Sequence, residues 1–151
     1  NLFKNLGVIQ CGLASRDILR LEAGLLLHGT DMDVNRSPIE AGLGRFVDMT
    51  SESVCREVLQ VIERQGTKDR LVGFQMTERG VPRHSYSILS DNQVVGFVTS
   101  GGYSPTLDRN IGLGYVSSSL SSPGSELSID IRGKLVRAEV VETPFYSYRR
   151  A

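Results

Sequence analysis

Residues 12–24, Gly-Leu-Ala-Ser-Arg-Asp-Ile-Leu-Arg-Leu-Glu-Ala-Gly, gather two arginines and two carboxylates inside a short helix signal. Arg16 and Arg20 are four apart and share a helix face, and Asp17, three before Arg20, is spaced to pair with it. Arg16 is left without a partner nearby. A guanidinium in that position is a rigid, planar fork suited to a carboxylate or other planar anion of a ligand. The competing reading is that Arg16 snorkels to solvent or pairs with a distant carboxylate.

Other site chemistry is sparse. His28 and His84 have no Cys, Asp or Glu at metal-ligand spacing, so they read as ordinary polar histidines, and no zinc or iron site is expected. There is no Gly-x-Ser-x-Gly elbow, and the serines beside His84 do not suggest a triad. Gly101-Gly102 follows a strand pattern but lacks both the Walker lysine and Gly-x-Gly-x-x-Gly spacing. It reads as a tight turn, with the Thr99 and Ser100 hydroxyls serving local backbone groups.

The element that must position Arg16 is a helix with Ser15 as N-cap, Asp17 in its first turn and Gly24 as its stop. Ile18, Leu21 and Leu25, with Leu19, Ala23 and Leu26, give it a wide apolar arc, so it is expected to be well buried. Residues 2–6 read as the end of an earlier helix. Residues 29–37, rich in Gly, Asp, Asn and Ser and closed by Pro38, read as loop. A second helix is expected over 51–65, with a Val54, Val58, Val61, Ile62 stripe and Gly66 as its stop.

Beyond Gly66 the hydrophobic period changes to two. Strands are expected at 71–76, 85–89, 93–100, 111–116, 127–131 and 135–142, with hairpin turns at Asp91-Asn92 and Gly133-Lys134. Gly112 and Gly114, flanking Leu113 in one strand, suggest close backbone packing or a bulge. Residues 117–122 read as a serine-rich surface loop. The fold class is α+β: a helical piece followed by a small antiparallel β-barrel of about six strands, with a sandwich as the other closed solution.

Composition bounds the function. Seventeen basic and seventeen acidic residues among 151 give no basic excess, which argues against a nucleic-acid partner. No apolar run is long enough to span a membrane and no signal peptide is visible. Cys11 and Cys55, with no Cys-x-x-Cys spacing, read as reduced structural thiols of an intracellular protein; a disulfide between them is the alternative.

The run GLASRDILRLEAGLLLHGTDMD resembles the GLGARDxLRLEAGxxLYGxDMD segment of aminomethyltransferase, the T-protein of the glycine cleavage system. The likeness continues in order through Ser37-Pro38-Ile39-Glu40-Ala41-Gly42-Leu43, then Val95-Gly96-Phe97-Val98-Thr99-Ser100-Gly101-Gly102 and Ser104-Pro105-Thr106-Leu107. It ends with Asn110-Ile111-Gly112-Leu113-Gly114-Tyr115-Val116, Pro123-Gly124-Ser125-Glu126-Leu127, Ile131-Arg132-Gly133-Lys134 and Thr143-Pro144-Phe145-Tyr146. Members of that family are longer and this sequence begins with Asn1, so the resemblance implies the C-terminal portion of such a chain.

The resemblance implies residues 1–48 as the last piece of a folate-binding domain and 49–151 as the C-terminal barrel. It implies an enzyme that takes the aminomethyl group from the lipoyl arm of the H-protein, releases ammonia and passes the carbon to tetrahydrofolate. In the family the catalytic carboxylate lies in the N-terminal half, so none is assigned here and these residues alone are expected to be inactive. Arg16 matches the family arginine of the folate or substrate pocket. Arg150, with Arg149 as alternative, matches an arginine found in some members after the Pro-Phe-Tyr motif; the competing reading is a basic tail in solvent. The implied location is cytoplasmic, or the mitochondrial matrix in a eukaryote.

There are departures from the family pattern: Ser15 for alanine, His28 for tyrosine, Arg45-Phe46 after Gly44, and Asp48-Met49-Thr50 before the second helix. They keep two other readings open. One is a tetrahydrofolate-dependent demethylase or the folate-binding end of a sarcosine or dimethylglycine dehydrogenase. The other is a non-catalytic folate-binding module, although the K-G-C-Y-x-G-Q motif of such relatives is absent.

Overall fold

The computed structural model describes residues 2–147. Helices α1 (Leu2–Asn5), α2 (Leu13–Glu22) and α3 (Arg56–Gln65) precede six strands: β1 (Asp69–Met76), β2 (Ser87–Ser90), β3 (Gln93–Ser104), β4 (Arg109–Ser117), β5 (Glu126–Ile131) and β6 (Lys134–Val141). The strands close into an antiparallel barrel in the order β1-β4-β3-β2-β5-β6. The α+β architecture expected from the change of period is the one observed, and the barrel rather than the sandwich is its closed form.

Alternation explains the barrel interior. Val72, Phe74 and Met76 of β1 face inward with Val98, Val116, Ile88, Leu127, Ile129, Val136, Ala138 and Val140, all buried. Strand β4 is buried on both faces, because its outward Ile111 and Leu113 pack with Leu21 of α2. Its inward Gly112 and Gly114 make room for larger neighbours. A Cβ on Gly112 would lie 2.5 Å from Phe74 Cζ, and one on Gly114 would lie 2.7 Å from Ile88 Cδ1. Close packing, one of the two readings of that glycine pair, is therefore correct.

The hairpins follow turn chemistry. Asp91 and Asn92 both have positive φ, as do Arg132 and Gly133, the pattern of a two-residue type I′ turn. The second turn thus sits one residue earlier than expected.

Several boundaries differ from the expectation. Helix α2 begins at Leu13 with Gly12 as N-cap and no side-chain cap, so Ser15 lies inside the first turn and donates its N–H to the Gly12 carbonyl. The stop is as expected. Gly24 takes φ +65, its N–H bonds to the Leu21 carbonyl, and the Leu25 N–H reaches the Arg20 carbonyl, which is a Schellman closure. The helix is buried on one side only. Leu21 is covered, whereas Leu13 and Leu19, with Leu25 just beyond, are exposed.

Helix α3 begins at Arg56 rather than residue 51, because Asp48 and Ser53 side chains bond the Thr50 and Cys55 N–H groups and hold the segment in turns. Val58 and Val61 of the helix, and Val54 before it, are exposed. Cys11 and Cys55 are free and exposed, so they are neither disulfide-bonded nor packed. No described helix is long and apolar enough to cross a membrane.

Gly101 and Gly102 do not turn; they lie within β3, which runs on to Ser104. A Cβ on Gly101 would meet the Pro82 carbonyl oxygen at 2.7 Å, and one on Gly102 would meet Ile18 Cδ1 of α2 at 2.8 Å, so both serve close approach. The tightest approach in the barrel is at Gly96, where an added Cβ would stand 1.8 Å from the Tyr115 carbonyl oxygen. Replacing it forces β3 and β4 apart. Gly96→Ala is expected to destabilise the chain by at least about 1–3 kcal/mol in urea denaturation, and a shift under about 0.5 kcal/mol would refute this packing account.

Candidate functional site

The site begins with a buried carboxylate. Asp31 is fully buried in the segment after α2. Its Oδ2 accepts from Arg20 Nη1 at 2.5 Å and from the Leu27 N–H at 2.9 Å. Its Oδ1 accepts from the hydroxyls of Thr99 and Ser100, each at 2.6 Å. The Asp31 carbonyl accepts from the Tyr115 hydroxyl at 2.9 Å. A buried carboxylate is costly unless its lone pairs are satisfied, and here four donors and a countercharge do so.

A β-bulge makes the double hydroxyl contact possible. In β3, Val98 pairs with Gly114 and Ser100 pairs with Leu113, so Thr99 is the extra residue. Successive side chains of a regular strand point to opposite faces, whereas the bulge lets Thr99 and Ser100 both reach Asp31 on the outer face. These hydroxyls do not serve local backbone groups, the role expected from sequence. They reach a carboxylate 68 and 69 residues away, although Thr99 also touches the Leu113 carbonyl at 3.2 Å.

Arg20 is consumed by this network. Its Nε donates to Asp17 at 2.8 Å, the expected pair, and its Nη2 donates to Ser100 Oγ at 2.8 Å. Arg16, one turn earlier, is exposed and has no carboxylate partner among the described residues. Pairing with a distant carboxylate is therefore excluded within those residues, and projection into solvent and the ligand-facing role are the readings that remain. Arg16 opens onto a groove of about 470 Å³ shared with Leu13, Thr30, Arg83 and His84. Arg83 is likewise exposed and unpaired among the described residues. The chain has no net charge, yet this groove carries unpaired guanidinium groups, while its own carboxylate, Asp17, is occupied by Arg20.

A somewhat larger cavity of about 510 Å³ lies by Thr77, Leu89, Glu126 and Arg137. Its arginine is within 3.8 Å of Glu78, and it lacks an unpaired cation. Arg150 and Arg149 lie outside the described residues. His28 is exposed, and His84 Nδ1 lies 2.9 Å from the Thr99 carbonyl oxygen.

Two supporting clusters escaped the sequence reading. Glu22, buried at the end of α2, accepts from Ser104 Oγ at 2.5 Å and Thr106 Oγ1 at 2.9 Å, and its carbonyl accepts the Tyr146 N–H. Arg36 donates to Glu40 and Asp69 and lies 4.2 Å above the Tyr115 ring. Ser37 and Glu40 form a reciprocal capping box, a Ser-x-x-Glu signal that was present in the sequence.

Burial pushes the Tyr115 phenol up to about 12, against the opposing pull of Arg36, so it stays a neutral donor to Asp31. Burial also pushes Glu40 upward, but the Ser37 hydrogen bonds and the Arg36 guanidinium outweigh it and hold the carboxyl below the usual range.

A closed six-stranded barrel with a helix locked across its outer face, and a groove carrying unpaired guanidinium groups beside that helix, defines a barrel domain with an appended helical segment. Comparison with known proteins places that architecture. Residues 70–147 match the family model of the glycine cleavage T-protein C-terminal barrel domain, and residues 3–51 match that of the GCVT N-terminal domain. Aminomethyltransferases of Nostoc sp. and Anoxybacillus flavithermus are 49% and 45% identical over 142 and 146 residues, covering 93% and 95% of this chain. The matched part is 38% and 40% of those relatives, so the chain spans about two fifths of their length. The crystal structure of glycine cleavage system aminomethyltransferase T from Bartonella henselae superposes with a TM-score of 0.89 at 31% identity, over 96% of this chain and 42% of that one. The chain belongs to the glycine cleavage T-protein family.

Two outcomes follow from this geometry. Removing one partner of a buried ion pair leaves the other uncompensated, so Asp31→Ala is expected to lose about 3–5 kcal/mol in urea denaturation, and a loss under about 1 kcal/mol would show that Asp31 is not the node described. Because the Glu40 pKa is depressed on folding, the stability it contributes is present above its unfolded value and is lost as the pH falls through the folded one. Glu40→Gln is therefore expected to flatten the acid side of the stability–pH profile, and an acid limb as steep as the wild type's would refute the linkage.

Proposed function

We propose that these residues are the C-terminal part of an aminomethyltransferase, which transfers the one-carbon unit of an aminomethylated lipoyl H-protein to tetrahydrofolate with release of ammonia. Residues 1–48 then belong to the folate-binding domain and 49–151 to the barrel. The observation that carries the reading is Arg16, an unpaired guanidinium on a helix immobilised by Arg20 and Asp31, facing a groove lined by a second unpaired arginine. The aminomethyltransferases among the relatives supply the chemistry to which that groove is matched.

Within this reading Arg16 holds an anionic group of the folate or substrate, and Arg150, or Arg149, is a second contact from the C-terminal segment. No catalytic acid is assigned, and the 151 residues by themselves are expected to give no turnover. The role of the folate here is that of a one-carbon acceptor. What this chain supplies is orientation, holding one end of a flat ligand so that its reacting nitrogen meets the incoming carbon.

The test is methylene-tetrahydrofolate formation by a chain of the relatives' length carrying these residues, supplied with aminomethylated lipoyl carrier and tetrahydrofolate. Turnover supports the reading. Folate binding without turnover from this donor points instead to a demethylase or a non-catalytic relative. A charge-assisted contact contributes about 1.5–3 kcal/mol, so Arg16→Ala is expected to lower kcat/KM roughly 10–150-fold, and unchanged kinetics would remove Arg16 from the site.

A further inference from the structure

His84 shares the groove of Arg16 and Arg83, and one of its two ring nitrogens is already spoken for. Nδ1 lies 2.9 Å from the Thr99 carbonyl oxygen. A carbonyl can only accept, so Nδ1 carries the proton and Nε2 of the neutral ring presents a lone pair. Because Nδ1 faces strand β3, Nε2 faces away from it. The ring stands on a fixed base. Pro82 is buried, its carbonyl packs against Gly101, and the Ser85 N–H donates to the Val98 carbonyl at 2.8 Å. Ser85 itself is held at φ +68, a conformation uncommon for a residue with a side chain and one that concentrates at ligand-holding segments.

Asp17, Thr99 and Ser100 in its lining are engaged with Arg20 and Asp31, so the groove combines cations without partners and an imidazole nitrogen whose lone pair is oriented by its ring partner. A simple anion would use only the former. A ligand with a carboxylate next to an N–H donor would use both, and that pairing is the chemistry of an N-acyl amino acid.

We propose that His84 is a specificity-determining residue of this groove, its Nε2 accepting a hydrogen bond from the amide N–H that adjoins the carboxylate held by Arg16, so that the groove takes the N-acyl amino acid end of a folate. This rests on the folate reading of Arg16, and it adds the residue that selects a glutamyl-bearing ligand over one ending in a bare aromatic acid.

The tautomer is read on this chain directly. Long-range proton–nitrogen correlation of the imidazole is expected to place the proton of the neutral ring on Nδ1, and a neutral ring protonated on Nε2 would overturn the proposal. Ligand selection is read in a chain of the relatives' length carrying these residues, with 5-formyltetrahydrofolate and with 5-formyltetrahydropteroate, which lacks the glutamyl group. His84→Phe is expected to weaken the folate about tenfold, His84→Gln to recover most of that loss, and both to leave the pteroate unchanged. Equal binding of the folate by wild type and His84→Phe overturns the role of His84 while leaving the Arg16 reading intact, and so does an equal loss for both ligands. Failure of the wild type to bind either ligand overturns the folate reading, and the role of His84 with it.

Discussion

The buried carboxylate of Asp31 is the constraint on which the arrangement depends. Isolated, it would be too costly to bury; surrounded by Arg20, the Leu27 N–H and two hydroxyls, it becomes a junction. The four donors come from three pieces of structure: α2, the segment that follows it, and the bulge of β3. Tyr115 of β4 reaches the backbone of the same residue. Apolar contact between α2 and the barrel is narrow, because Leu21 is buried while Leu13 and Leu19 are not. Packing alone would let the helix rock, and the directional bonds set its angle.

The same junction separates two arginines that the sequence presents as alike. Arg16 and Arg20 differ by one helical turn, and only Arg20 reaches Asp31. Local spacing was enough to read the Asp17–Arg20 pair and the isolation of Arg16, because both are properties of one helix face. It was not enough to find Asp31, whose partners in β3 are 68 and 69 residues away and whose contacts need a bulge. A bulge leaves no mark in a period-two pattern when the displaced residue is a threonine or serine, since both fit a strand face equally well. The consecutive Thr99 and Ser100 were the available sign, and the local reading of their hydroxyls concealed it.

The barrel was legible for the opposite reason. Alternating apolar residues and paired left-handed turn residues such as Asp91-Asn92 specify short antiparallel strands without any knowledge of partners. The misreadings cluster where tertiary contact overrides local preference. Gly101-Gly102 looks like a turn in isolation, yet the Pro82 carbonyl and the Ile18 side chain require glycine in a continuing strand. Ser15 looks like a cap, yet Gly12 takes the position and the helix gains three residues. The apolar arc of α2 gave an expectation of complete burial because periodicity reports which residues could be covered, not which of them are.

Arg16 has a defined position because the last turn of α2 is held twice, by two carboxylates of different character. On the barrel-facing side of that turn, Arg20 engages Asp31 with full charge compensation. At the C-terminal residue, Glu22 is buried with no cation partner among the described residues and is stabilised by the hydroxyls of Ser104, at the end of β3, and Thr106, in the turn that follows. The Glu22 carbonyl meanwhile receives the Tyr146 N–H of the C-terminal segment. A single helical contact would leave α2 a pivot, and Arg16 would sweep an arc about it. Two contacts flanking Leu21 restrict that freedom, so an exposed guanidinium is still directed at the groove it lines. The C-terminal segment is tied to the same helix end at Tyr146, so the barrel's exit strand and the helix that carries Arg16 share one anchor.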